Sequence, residues 1–200
     1  MYENYKVNIP EGRIGSWEVD TFVVEENDLR RMRYALQGRS VPPGRYTRLT
    51  HNGCVIMSDT PAEIRDQVEV IRKAQGRVLL NGLGLGVVLK AILQKPEVIS
   101  VDIVEKSSEV IQLVGQYYTN PRVTIFQDDA LTIHWEKGAY WDVIWHDIWP
   151  DICADNLPEM KKLHYKYGKR CAWQGSWCRR ACQSLAKGET NKRYIIYKGM

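Results

Sequence analysis

A chain of 200 residues, 44% hydrophobic and 26% charged, is long enough for one substantial core, and its composition excludes a disordered chain or a fibrous repeat. The net charge of +4 hides an asymmetry. Residues 161–200 hold eleven Lys or Arg against one Glu, so residues 1–160 are net acidic. A basic end of this kind can attract nucleic acid or an acidic surface, although no recognised DNA- or RNA-binding motif accompanies it.

The start MYENYKVNIPEGR is polar and carries no apolar signal-peptide core, and no stretch of the chain is long and apolar enough to span a bilayer. The five cysteines are widely spread and read as reduced thiols, so a cytoplasmic protein is expected. Residues 17–25 (WEVDTFVVE) can be a strand. Residues 45–59 read as a hairpin, because two strand-like runs flank His51-Asn52-Gly53 and Asn-Gly is a strong hairpin turn. A β-rich extension is therefore expected over residues 1–60. Its exposed edges offer a surface for a homodimer.

A helix follows, with Thr60 as N-cap, Pro61 at the first position and Glu63 completing a capping box. Ile64, Val68 and Ile71 would form its buried stripe, and Gly76 its end. From there strands and helices alternate. RVLLN, VISVDIVE, RVTIFQ and YWDVIWH read as strands, with helices over GVVLKAILQ and SSEVIQLVGQYY, the latter capped by Ser107. A helix over 156–167 with Glu159 in its first turn, a strand over CAWQGSW, a helix over CRRACQSLAKG and a final strand over RYIIY complete the series. The strands are apolar throughout, so residues 61–200 are expected to form an α/β domain with an open, mostly parallel, doubly wound sheet and helices on both faces.

The strongest local feature is Asn81-Gly82-Leu83-Gly84-Leu85-Gly86, set between a strand and a helix. Gly82 permits a tight turn, Gly84 lets the backbone approach a ligand, and Gly86 allows close helix packing. No Gly-Lys-Ser/Thr follows, which argues against a P-loop, and a dinucleotide site stays open although the spacing is GxGxG rather than GxGxxG. Glu105 closes the next strand, where an open sheet places an acid against a ribose, because a carboxylate can accept both hydroxyl protons. Asp102, three positions earlier, faces the other side. The third strand ends in Asp128-Asp129, where a carboxylate can accept from an adenine amino group. Asp129 is favoured. The fourth ends in His146-Asp147-Ile148-Trp149-Pro150-Asp151. His146 and Asp147 are candidate bases that point opposite ways on an extended strand.

From about Gly76 to Pro150 these residues resemble the class I S-adenosylmethionine-dependent methyltransferase superfamily, and within it most closely the spermidine synthase-like (aminopropyltransferase-like) branch. The resemblance implies a Rossmann-like methyltransferase fold with S-adenosylmethionine as cofactor. Gly82, Gly84 and Gly86 match the cofactor loop, Glu105 the ribose acid, and Asp129-Ala130 the adenine pair. The hairpin leader resembles that branch's small β-domain. Asn81 stands where most methyltransferases carry an acid, and Leu85 replaces an acid usual in aminopropyltransferases. Asp147 matches the first Asp of their strand-four signature, but Pro150 occupies the position of the second and Asp151 is displaced by one. Trp149 and Asp151 are candidate substrate contacts, Trp149 as an aromatic platform. The expected activity is transfer, most simply of a methyl group, to a small-molecule acceptor. Aminopropyl transfer, nucleic-acid modification through the basic C-terminal region, and a non-catalytic protein retaining the fold remain open. His51 reads as a turn residue, His164 as packing, and Trp173 and Trp177 as part of a substrate rim or interface. No metal site is expected, because no CxxC pair occurs.

Overall fold

In the computed structural model, which describes residues 2–27 and 39–188, the Asn52-Gly53 hairpin lies inside a four-stranded antiparallel meander. Its strands are β1 (Gly12–Ile14), β2 (Trp17–Val24), β3 (Gly44–His51) and β4 (Cys54–Ser58), in that spatial order. Asn52 and Gly53 both have positive φ, +50° and +77°, as a two-residue type I′ turn requires. Pairing of β2 with β3 runs from Trp17 opposite His51 to Val24 opposite Gly44. That register stacks the Trp17 and His51 rings at one end of the sheet, 4.4 Å apart.

The helix expected from Pro61 onward is two. α1 (Pro61–Asp66) and α2 (Val68–Lys73) meet at Gln67, whose side chain is drawn between Trp145 and Asp147. The break shifts the buried stripe. Ile64, Gln67, Val70 and Ile71 are buried, while Val68 is only half-buried. Nor does the capping box close. Thr60 makes no cap bond, and Glu63 Oε2 instead accepts from the Ser58 N–H at 2.8 Å. Just before the helix, the buried Asp59 carboxylate accepts from the N–H groups of Val7 (3.1 Å) and Thr47 (2.8 Å), pinning the first residues and β3 to the entrance of α1.

The second sheet is parallel. It comprises β5 (Gly76–Asn81), β6 (Val98–Glu105), β7 (Val123–Gln127), β8 (Trp141–His146) and β9 (Cys171–Ser176), in the order β7-β6-β5-β8-β9. Between the strands run α3 (Val87–Leu93), α4 (Ser108–Leu113) and α5 (Leu157–Tyr167), and α6 (Arg179–Ala186) follows β9. Ser107 caps α4 as expected, accepting from the Val110 N–H at 3.1 Å. The strand expected at 193–197 lies outside the described residues. Among the described residues no helix is long and apolar enough to cross a membrane.

Alternation along the strands builds two cores. Val78, Leu80, Val101, Ile103, Val143 and Trp145 pack toward α1–α4, and the same cluster takes in Val19 and Leu49 of the meander. Leu79, Val104 and Ile144 face the other way, against Met160, Leu163 and Tyr167 of α5, and Trp141, the first residue of β8, joins this cluster out of the alternation. Strand order reverses at β5, which has β6 on one side and β8 on the other. In such a sheet the crevice for ligands opens at the carboxyl ends of the strands beside that point.

Candidate functional site

A cleft of about 390 Å³ opens there. Its floor is Gly82, Leu83 and Gly84, and Glu105, Asp128, Asp129 and Asp147 stand at successive strand ends around it. The meander supplies the opposite wall through Trp17, Leu49, His51, Ile56 and Met57. Trp149 and Glu159 close one side, held together by a 2.9 Å bond from the Trp149 indole N–H to Glu159 Oε2.

The glycine loop serves the protein's own packing more than expected. A Cβ on Gly82 would lie 2.1 Å from the Asp147 carbonyl oxygen, and one on Gly86 2.3 Å from the Tyr118 ring. Gly84, expected to admit a ligand, instead admits the thioether of Met57, 2.7 Å from where its Cβ would be. Four of the loop's N–H groups are engaged within the protein. Gly82 donates to Val104, Leu83 to Glu105, Leu85 to the Met57 sulfur and Gly86 to Leu83.

Glu105 lies on the cleft side of β6, and Asp102 on the other, where it accepts from the Trp141 indole at 2.7 Å. Each Glu105 oxygen accepts one backbone N–H, Oε2 from Leu83 and Oε1 from Ser107, both at 2.9 Å. A carboxylate has about four lone-pair sites, so both oxygens retain capacity for a further donor while their direction is fixed. Asp129 is similarly held. Oδ1 accepts from the Leu131 N–H at 2.8 Å and Oδ2 from Lys106 Nζ at 3.0 Å. Burial works against its charge, but those two donors prevail and keep its pKa below the usual carboxylate range.

Asp147 and His146 separate as the strand geometry requires. Asp147 lines the cleft, and Gln67 Nε2 donates to its Oδ2 at 2.7 Å. Burial raises its pKa to about 7, against the Gln67 bond and with help from nearby Asp66. His146 is fully buried on the α5 side and does not line the cleft. Gln174 Nε2 donates to the His164 carbonyl, so Gln174 Oε1 must accept from His146 Nε2–H at 3.1 Å, and Nδ1 must accept from Asn81 Nδ2 at 2.8 Å. Burial lowers its pKa to about 3. His146 is thus a neutral element of the core. Asn81 turns into the same network, away from the cleft. Asp151 is exposed and stands outside the cleft lining. Trp173 stacks on Trp145, also outside it.

Gln67, Met57 and Glu159 had no marker in the sequence as site residues. Only the register of β2 against β3 brings Trp17 and His51 to the cleft. Behind Asp147 lies a further acidic group. Glu63 is raised to about 7 by burial, against its Ser58 bond and the pull of Arg39, with Asp66 and Asp147 adding to the rise.

No family model matches the chain, and no curated protein matches it. Solved structures do. Spermidine synthase from Thermotoga maritima is 18% identical over 68% of this chain and 45% of its own, with a TM-score of 0.42. StiE O-MT is 17% identical over 55% of this chain and 40% of its own, with a TM-score of 0.43. A dimethyladenosine transferase from Plasmodium falciparum is 19% identical over 52% of this chain and 37% of its own, with a TM-score of 0.38. In each case the match takes in less than half of the other chain.

Proposed function

We propose that the cleft binds S-adenosylmethionine and that the chain is an S-adenosylmethionine-dependent transferase, in the simplest case a methyltransferase. The observation that carries this reading is Glu105. It sits at the end of the strand next to the glycine loop, in the cleft, with both oxygens aimed by backbone donors and both able to accept again. That suits a cis-diol. Asp129 would take the adenine amino group, between the apolar walls of Leu83, Val104 and Leu131. Because the loop's N–H groups are largely engaged, the hold on an adenosyl group falls to these carboxylates.

When bound, the sulfonium supplies an already activated methyl group, so the protein's part is alignment and proton removal. Asp147 is placed for the latter. Gln67 holds one of its oxygens, and the other is left to orient an amine or hydroxyl acceptor and take its proton. His146 has no part in this reading, since its ring nitrogens are committed within the core.

Calorimetric titration with S-adenosylhomocysteine tests the assignment. Glu105→Ala should weaken binding roughly tenfold or more, from the loss of two charge-assisted bonds. Glu105→Gln keeps an acceptor for the loop and should still bind more weakly than the wild type. Unchanged affinity in both variants overturns the ribose role.

A further inference from the structure

A second groove, of about 470 Å³, lies away from the cleft where the loop before β8 meets the end of α5. Tyr140 walls it from the loop, Tyr165 and Lys166 from the helix, and Lys169 and Arg170 from the turn after it. Tyr165 is 91% exposed and Tyr140 44%, so neither ring contributes much to the core. On α5, Lys162, Tyr165 and Lys166 recur at i, i+3 and i+4, and Lys169 follows in the turn just after the helix. The three on the helix form one stripe opposite the buried Met160, Leu163 and Tyr167. Residues 161–188 carry eight Lys or Arg and no Asp or Glu. Arg170 Nη1 is tied to the carbonyls of Glu136 and Ala139, and Lys166 Nζ to that of Ala130, so these two shape the walls. Asp128 and Asp129 act on Lys166 from the cleft side. Lys162 and Lys169 are exposed.

A solvated tyrosine set among like charges adds nothing to folding, and the charges repel one another. Both features acquire a use with a polyanion that has flat faces. We propose that this groove binds single-stranded nucleic acid, with Tyr165 and Tyr140 stacking on bases and Lys162 and Lys169 contacting phosphates. Lys162 precedes Tyr165 by about 4.5 Å along the helix, and Lys169 follows in the turn beyond the helix end, so cations stand on both sides of the ring in the chain. Stacking platforms flanked by cations are how sequence-tolerant single-strand binding is built. Acidic peptides and lipid headgroups supply charge alone and leave the two exposed rings without a partner.

Fluorescence anisotropy with labelled oligothymidylate and oligouridylate, at about 50 and about 200 mM salt, tests this on the full chain. The comparison of the two probes distinguishes DNA from RNA as the better ligand. Saturable binding that weakens with salt is expected for at least one of them. Tyr165→Ala should reduce affinity roughly tenfold and leave the salt slope unchanged. Lys162→Ala with Lys169→Ala should lower the slope by about 1.4, the share of two phosphate contacts. All three positions are exposed, and unchanged far-UV circular dichroism would show that the variants fold. The proposal is overturned by no salt-sensitive binding, or by wild-type affinity in Tyr165→Ala, which would place binding elsewhere on the basic end. It is also overturned if poly-glutamate or phosphatidylserine vesicles bind with the same dependence on Tyr165.

Discussion

His146 and Asp147 are neighbours in sequence and opposites in environment. One peptide bond carries the chain from a buried imidazole with both nitrogens committed to a carboxyl at the cleft wall. Burial disfavours the charged form of each, so the imidazole is held neutral and the carboxyl is brought to about 7. A base of that pKa is half-ionised near neutral pH, and the catalytic rate should rise with pH to a plateau above about 7. Asp147→Asn keeps an oxygen for Gln67 Nε2 and should fold, yet lose roughly a hundredfold or more in turnover and the pH limb with it. S-adenosylhomocysteine formation against a panel of amine and hydroxyl acceptors is the readout. His146→Ala should do the reverse. Removing the ring leaves a cavity and strands Asn81 and Gln174, a loss of about 2–4 kcal/mol by chemical denaturation, with cofactor affinity little changed. Normal turnover in Asp147→Asn removes Asp147 as the base.

At the scale of elements, the parallel strands were legible because each is a short apolar run bounded by turn residues, and the glycine loop fixed where the first of them ends. Glu105 followed from its strand end and from alternation, whereas alternation only separated His146 from Asp147 and the family resemblance pointed to Asp147. What sequence could not supply was the break at Gln67. Helix continuity there is decided by Trp145 and Asp147, the latter 80 positions away, which draw the Gln67 amide inward. Glu63 was misread for a related reason. A first-turn glutamate ordinarily closes a capping box, but here the nearer donor is the Ser58 N–H, and the carboxyl ends beside Asp66 and Asp147. This has a thermodynamic sign. Glu63 has a folded pKa near 7, above its unfolded value of about 4.5, so the folded state holds a proton that the unfolded chain releases. Its contribution to stability is complete below about pH 4.5 and is lost as pH rises through about 7. Glu63→Gln, which retains an oxygen for Ser58, should therefore stabilise the fold by about 1–3 kcal/mol at about pH 8 and by little at about pH 4. Denaturant titrations at the two pH values measure it. An equal effect at both would show that folding does not raise the Glu63 pKa.

The whole molecule places its cleft between two sheets that share one hydrophobic cluster. Val19 and Leu49 of the meander pack in the same core as Val78, Leu80 and Trp145 of the parallel sheet, and the Asp59 carboxylate binds Val7 and Thr47 to the start of α1. The meander is consequently the far wall of the site, and any ligand seated on the glycine loop lies against Met57, Trp17 and His51. Binding should then stabilise both sheets together. At about a hundredfold excess over Kd, S-adenosylhomocysteine should add about 2.7 kcal/mol. Native-state hydrogen exchange should show slower exchange in β3 and β4 as well as in β5 and β6, because opening either wall releases the ligand. Protection confined to the parallel sheet would mean that the meander opens on its own with the ligand still in place. Met57 sharpens the test. Its sulfur accepts from Leu85 N–H and fills the space above Gly84, so a ligand that uses the loop must move it. Met57→Ala should tighten S-adenosylhomocysteine binding a few-fold and weaken the coupled protection of β4, since the same side chain both covers the loop and joins the two walls.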